Sequence, residues 1–140
     1  MSDYLFIIAP LSGWVVAQTL KVILELRKDG VQLRDAWASG GMPSSHSAGI
    51  VSLTTAIGIE QGSKSAIFGL ALTITAVILY DSVGVRRTTG ENAIAITELE
   101  SKLHTKAKQK IHIARGHTPQ QVAGGVFLGL AIGVVLTKLL

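Results

Sequence analysis

Apolar positions gather into four runs separated by polar connections. The first extends from about Tyr4 to Leu26 and carries Pro10 and Gly13 in its outer half. The second starts at Pro43 with polar residues, turns apolar from Ala48 and ends near Glu60. The third, from about Ser65 to Val83, is the most uniformly apolar, and the fourth runs from Thr118 to Leu140. Crossing the hydrocarbon core of a bilayer takes about 20 mostly apolar helical residues. The pattern therefore predicts an all-α fold, a single membrane domain over residues 1–140 with transmembrane helices at about 4–26, 43–60, 65–83 and 118–140. The short link Gln61-Gly62-Ser63-Lys64 makes the second and third helices an antiparallel hairpin. Gly125, Gly129 and Gly133 recur every four residues, which puts a flat strip on one face of the last helix where a neighbouring backbone can come close.

Composition supports a membrane setting: 48% of residues are hydrophobic, only 16% are charged, and the apolar share is mostly Ala, Ile, Leu and Val. The absence of cysteine excludes a disulfide framework and any thiolate metal site. A net charge of +4 raises nucleic-acid binding as a reading, but the basic residues lie between the apolar runs and not on a reading helix, so no nucleic-acid partner is expected. Met1-Ser2-Asp3-Tyr4 lacks the basic start and small-residue cleavage site of a secretory signal, so the first apolar run is expected to be retained.

Charge also orients the chain. Of thirteen Lys and Arg residues, ten fall in the two long connections: Arg27, Lys28 and Arg34 in the first, and Arg86, Arg87, Lys102, Lys106, Lys108, Lys110 and Arg115 in the second. Lys64 and Lys138 lie on the opposite side and Lys21 inside the first helix. The excess places both connections in the cytosol and both termini outside. In the second connection Ile96, Leu99, Leu103, Ala107 and Ile111 recur at helical spacing, and Glu98 precedes Lys102 by four residues. An amphipathic helix over about 91–113 follows, either lying at the cytosolic membrane surface or solvated and packed on the other connection.

Three polar segments carry candidate chemistry. Gly40-Gly41-Met42-Pro43-Ser44-Ser45-His46-Ser47-Ala48 reads as a tight turn feeding a helix, with Ser44 or Ser45 as N-cap. A helix N-terminus favours an anion, and His46 lies in its first turn; the plain alternative is a capped helix with an incidental interfacial histidine. In Arg115-Gly116-His117-Thr118-Pro119-Gln120-Gln121, Thr118 as cap, Pro119 at the first position and Gln121 three residues on form a capping box. A second helix thus starts beside a histidine on the same membrane face. The third segment, Tyr80-Asp81-Ser82-Val83-Gly84-Val85-Arg86-Arg87, ends in two guanidiniums suited to bidentate contact with phosphate, or to plain membrane-boundary anchoring. Asp81 needs a partner, for which Arg86, Arg87 or a histidine is the natural candidate. Gln18, Lys21 and Glu25 share one face of the first helix, from which Lys21 can snorkel outward or reach inward to a phosphate.

Together these residues resemble the type 2 phosphatidic acid phosphatase superfamily, which includes the vanadium haloperoxidases, and most closely its divergent branch of small membrane proteins. The stretch from Gly41 to Ala48 looks like the superfamily's proline-serine-glycine-histidine motif with Ser45 in place of glycine, and Tyr80–Arg87 and Gly116–Gly125 look like the branch's other two signatures. The resemblance implies that His117 attacks phosphorus to form a phosphohistidine and that His46 protonates the leaving alkoxide. It also implies that Lys21, Arg86, Arg87 and the N–H groups near Ser44 and Ser45 hold the equatorial oxygens, with no metal or other cofactor. Two departures stand out. Gln121 occupies the place of an acidic residue four positions after the nucleophile, a role Asp81 could take, and about thirty residues separate Arg87 from His117 where the superfamily has about two helical turns. Its first motif is matched loosely by Lys21, Lys28 and Asp29.

The expected function is hydrolysis of a lipid phosphate, such as phosphatidate or a polyprenyl phosphate or pyrophosphate, by a multi-pass protein of a bacterial plasma membrane or an organelle with its site on the cytosolic side. Lipid phosphate and membrane lipids are the expected partners, and homo-oligomerisation is left open. The alternatives are a catalytically weak lipid-phosphate binder or transporter, which Gln121 favours, and a structural membrane subunit.

Overall fold

The computed structural model describes residues 4–28, 41–103 and 116–140. Five helices follow in order: α1 (Leu5–Leu26), α2 (Ser45–Glu60), α3 (Ala66–Val83), α4 (Val85–Lys102) and α5 (Pro119–Leu139). All secondary structure among the described residues is helical. The starts of α2, α3 and α5 fall one or two residues inside the expected limits because Ser44, Ser65 and Thr118 are extended caps. Each cap hydroxyl accepts an N–H of the first turn, from Ser47, Phe68 and Gln121 respectively.

The stretches Leu5–Leu26, Ala66–Lys102 and Pro119–Leu139 are long and apolar enough to span a membrane. Within the second, the apolar part is α3. Of the four expected spans these three have the length and composition to cross; α2, with 16 residues, rises about 24 Å, short of the ~30 Å hydrocarbon core.

The short helix is nevertheless the centre of the bundle, packed on α1, α3 and α5. Ser52 Oγ donates to the Ala9 carbonyl of α1 at 2.7 Å, and Thr54 Oγ1 pairs with Thr75 Oγ1 of α3 at 2.7 Å. Against α5 the contact is made by glycine. A Cβ on Gly125, Gly129 or Gly133 would come within 2.6 Å or less of Ser44 O, Ala48 O or Thr55 Cβ respectively. The expected glycine strip is therefore a seam between two backbones. Because Ser44, Ala48 and Thr55 ascend in step with Gly125, Gly129 and Gly133, α2 and α5 run parallel with their N-termini side by side. Gly13 of α1 also meets Ala48, and Gly49 meets Pro10, so α1 runs antiparallel to α2.

Size is distributed inside out. The buried set is Ala, Gly, Ser and Thr with a few larger residues such as Leu5, Val51 and Ile57, whereas Ile7, Leu11, Leu70, Val77 and Phe127 (74% exposed) face outward. Hydrocarbon has no preference for expelling large apolar side chains, so small residues that let backbones approach take the interior.

The expected amphipathic helix begins at Val85, earlier than about residue 91. It follows Gly84 directly: Thr88 Oγ1 and Thr89 Oγ1 donate to the Gly84 and Val85 carbonyls, and Arg87 pairs with Glu91 one turn on. With no Pro after Gly84, the chain re-enters a helix within one residue, and Gly90 costs only about 1 kcal/mol relative to Ala. Ile96, Leu99 and Leu103 are exposed, while Ala93 is buried. Ala107, Ile111 and the basic residues Arg34, Lys106, Lys108, Lys110 and Arg115 lie outside the described residues, as do Asp29 and Gly40.

Candidate functional site

The alternating directions of α1, α2 and α3, with α5 parallel to α2, bring every candidate segment to one end of the bundle. Two main-chain hydrogen bonds tie them together. Ser44 N–H donates to the Gln121 carbonyl at 3.0 Å, joining the turn before α2 to the first turn of α5. His117 N–H donates to the Ser82 carbonyl at 3.2 Å, joining the approach to α5 to the last turn of α3. Gly41 sits against the α1 face that bears Lys21 and Glu25: a Cβ there would lie 3.1 Å from Lys21 Cγ and 2.7 Å from Glu25 Oε1. Segments some seventy residues apart in sequence thus meet around the N-termini of two parallel helices, whose partial positive charges add.

Individual residues sort as follows. His46 is exposed in the first turn of α2, and His117 is half-buried just before the α5 cap. Asp81 is half-buried beside Ser82 in the last turn of α3. Lys21 is only 6% exposed, on the inner face of α1 with Gln18, so of its two expected positions it takes the inward one. Glu25 lies one turn beyond it and binds Lys28 at 2.8 Å. Arg87 is half exposed and held by Glu91 within its own helix at 2.9 Å. The main chain at Arg86 belongs to α4, and its side chain lies outside the described residues.

The structure reassigns several donors. Of the two candidate caps Ser44 is the one used; it is fully buried and accepts from Ser47 Oγ at 2.9 Å as well as from Ser47 N–H. Its own N–H is spent on Gln121, so Ser44 fastens α2 to α5, and an anion at this end must use the N–H groups that follow it. The same holds at α5. Thr118 N–H donates to Gln121 Oε1 at 2.9 Å, Gln121 N–H to Thr118 Oγ1, and Val122 N–H to the Thr118 carbonyl. Pro119 has no N–H, leaving Gln120 as the first-turn donor. The expected capping box is present in full, with the Gln121 side-chain oxygen accepting the Thr118 N–H.

Sequence reasoning assigned no role to Ser47 or Ser82, although both lie within the quoted motifs. Ser47 is fully buried and locks the cap. Ser82, 2% exposed, returns its hydroxyl to Ile78 O and presents its carbonyl to His117. Small hydroxyl residues at a helix end are too common for sequence alone to mark these two. Among the described residues no three of His, Cys, Asp and Glu cluster in the way that would hold a metal ion.

The family model described as the divergent PAP2 family matches residues 2–132. The uncharacterized membrane protein YuiD of Bacillus subtilis strain 168 is 31% identical over 148 aligned positions, covering 93% of this chain and 92% of the relative. No solved structure matches. The match spans all three motifs and every helix except the last turns of α5, and on that extent the chain is a membrane protein of the divergent PAP2 family.

Proposed function

We propose that the protein hydrolyses the phosphate ester or anhydride of a membrane lipid, with His117 as nucleophile and His46 as general acid. The observation that carries this reading is the pair of main-chain bonds, Ser44 to Gln121 and His117 to Ser82, which gather three distant motifs at one end of the bundle. In the reaction His117 attacks phosphorus in line with the leaving oxygen, and the P–O bond to the lipid breaks. The departing alkoxide takes a proton from His46. Water then cleaves the phosphohistidine, releasing inorganic phosphate and restoring the imidazole. Lys21, the guanidiniums of Arg86 and Arg87 and the N–H groups after Ser44 hold the equatorial oxygens, where most of the stabilisation of phosphoryl transfer acts. For Arg87 this requires exchanging Glu91 for the substrate. Asp81 orients a histidine in place of the missing acid.

In this reading the protein is a single membrane domain, α2 makes a fourth crossing sheltered by its neighbours, and the site opens to the cytosol, the side given the basic connections by the charge count. The test is phosphate release from phosphatidate and polyprenyl phosphates by the detergent-purified protein. Release that is lost in both His117→Ala and His46→Ala supports the enzyme, and retention in either variant removes that histidine from the mechanism.

One observation favours a second reading. Because Gln121 Oε1 caps Thr118, the position that carries a charge in the superfamily is occupied by a neutral, engaged amide. A protein that binds lipid phosphates with little turnover fits that feature, and vanadate binding without phosphate release would identify it.

A further inference from the structure

Two polar side chains are buried in α1, and the proposed reaction uses only one of them. Gln18 and Lys21 are each 6% exposed, while the other buried residues of that helix are Leu5, Ala9, Gly13 and Ala17. Counted back from Leu26 at 1.5 Å per residue, Lys21 lies about 8 Å and Gln18 about 12 Å inside the helix. Both are within a stretch apolar enough to span a membrane. An amide at such depth costs several kcal/mol unless it is hydrogen-bonded, and an ammonium more. Accordingly, no buried side-chain nitrogen or oxygen among the described residues lacks a hydrogen-bond partner.

The packing of α1 on α2 brings Gln18 to the start of α2. A Cβ on Gly49 would lie 3.6 Å from Trp14 Cβ, and Gly41, ahead of the same helix, meets Lys21 and Glu25. Ser45, 5% exposed, is one turn before Gly49, and Gln18 is one turn after Trp14, so in this antiparallel pair the two share a level. Lys21 therefore has two polar neighbours at helical spacing, Gln18 three residues before it and Glu25 four after. They draw it in opposite directions. Glu25 lies toward Leu26 and binds Lys28, whose side chain is 63% exposed. Gln18 lies toward Ser45, and side chains on a helix lean toward its N-terminus, which is the Gln18 side. The residue type fits that inward role. A Gln amide oxygen accepts an ammonium proton without cancelling the charge, so a lysine held by it still attracts an anion. A carboxylate in its place would neutralise the lysine, and a hydrocarbon would leave Glu25 as the stronger neighbour.

We infer that Gln18 is a positioning residue, which turns the Lys21 ammonium away from Glu25 and toward the anion held at the start of α2. The inference rests on the phosphate site proposed above and adds a residue to it. It is tested by calorimetric titration of the intact, detergent-purified protein with orthovanadate, in a cycle of Gln18→Met, Lys21→Met and the double variant. Gln18→Met, similar in length but without strong hydrogen-bonding groups, should weaken binding by roughly tenfold, as expected for loss of a hydrogen bond to a charged group. In the Lys21→Met background the same change should weaken it by less than about twofold, since no ammonium is left to position. Gln18→Glu keeps the shape and the polarity of the side chain, so it reports on the same role if the apolar variant does not fold. Its carboxylate should take the ammonium and weaken binding at least as much. An equal fall in both backgrounds makes Gln18 a packing residue and overturns the inference, as does wild-type affinity in Gln18→Met or Gln18→Glu. Orthovanadate binding with this coupling, but without phosphate release from phosphatidate, keeps Gln18 in its role and removes the hydrolase. A wild-type protein that binds no orthovanadate overturns both.

Discussion

The glycine seam gives the sharpest quantitative test of the fold. In Gly129→Ala the added methyl would lie 2.6 Å from the Ala48 carbonyl oxygen and 2.8 Å from Val51 Cβ. Restoring ordinary contact at 3.4 Å requires α5 to retreat from α2 by about 0.8 Å. The opposing atom belongs to the main chain of a helix buried on three sides, so it cannot rotate away. Overpacking of this kind costs about 1–3 kcal/mol, and the rigid partner argues for the upper half of that range. Alanine returns ~1 kcal/mol of helix propensity, giving a net loss of about 1–2 kcal/mol. Gly69→Ala is the internal control: it lies on α3 with nothing within 4 Å of the new methyl, so only the propensity gain of about 1 kcal/mol acts. The two variants, identical in chemistry, should differ by about 2–3 kcal/mol. Reversible unfolding in detergent micelles titrated with dodecyl sulfate, followed by circular dichroism, measures that difference. Equal midpoints, or a Gly129→Ala protein at least as stable as the Gly69→Ala one, would refute close packing of α2 on α5 and with it the juxtaposition of the two histidine segments.

Further outcomes concern the site. Gln121→Glu should keep the capping box, which accepts either residue, and place a negative charge one turn from His117; turnover should rise by about tenfold or more, and a rate no higher than wild type with an intact cap would count against a missing acid. Thr118→Ala removes the cap hydroxyl of α5, and micelle unfolding should report a loss of ~1 kcal/mol together with reduced phosphate release; unchanged stability would mean the cap contributes nothing. Arg87→Ala breaks a surface pair with Glu91 and should alter stability by no more than about 0.5 kcal/mol, yet raise KM for a lipid phosphate; an unchanged KM assigns Arg87 to the surface of α4 alone.

Features that depend on local chemistry were legible in the sequence. The capping box at Thr118, the cap before His46, the α2–α3 hairpin and the glycine strip each follow from residues close together in the chain, and each is present. The central place of α2 was not legible. Its Ser and Thr content makes it the least membrane-like of the apolar runs, yet those hydroxyls are what bond it to α1 and α3. The destination of the Ser44 N–H and of the Gln121 side chain was equally hidden, because both depend on two helix starts lying side by side. The Glu91 partner of Arg87 was hidden too, because it depends on the restart of the helix at Val85, which brings Glu91 one turn on.

The seam also sets an order of events during synthesis. The α2 residues that α5 covers are made about seventy residues before α5 begins, which at 5–20 residues per second is roughly 4 to 15 s. Once α3 has been made the chain has α1 and α3 to shield two sides of α2, but the hydroxyl-lined side beside Ser44 and Ser47 has no native cover until α5 follows. Of the described helices α5 is made last and closes the interior, and a nascent chain truncated before His117 lacks both that cover and the histidine.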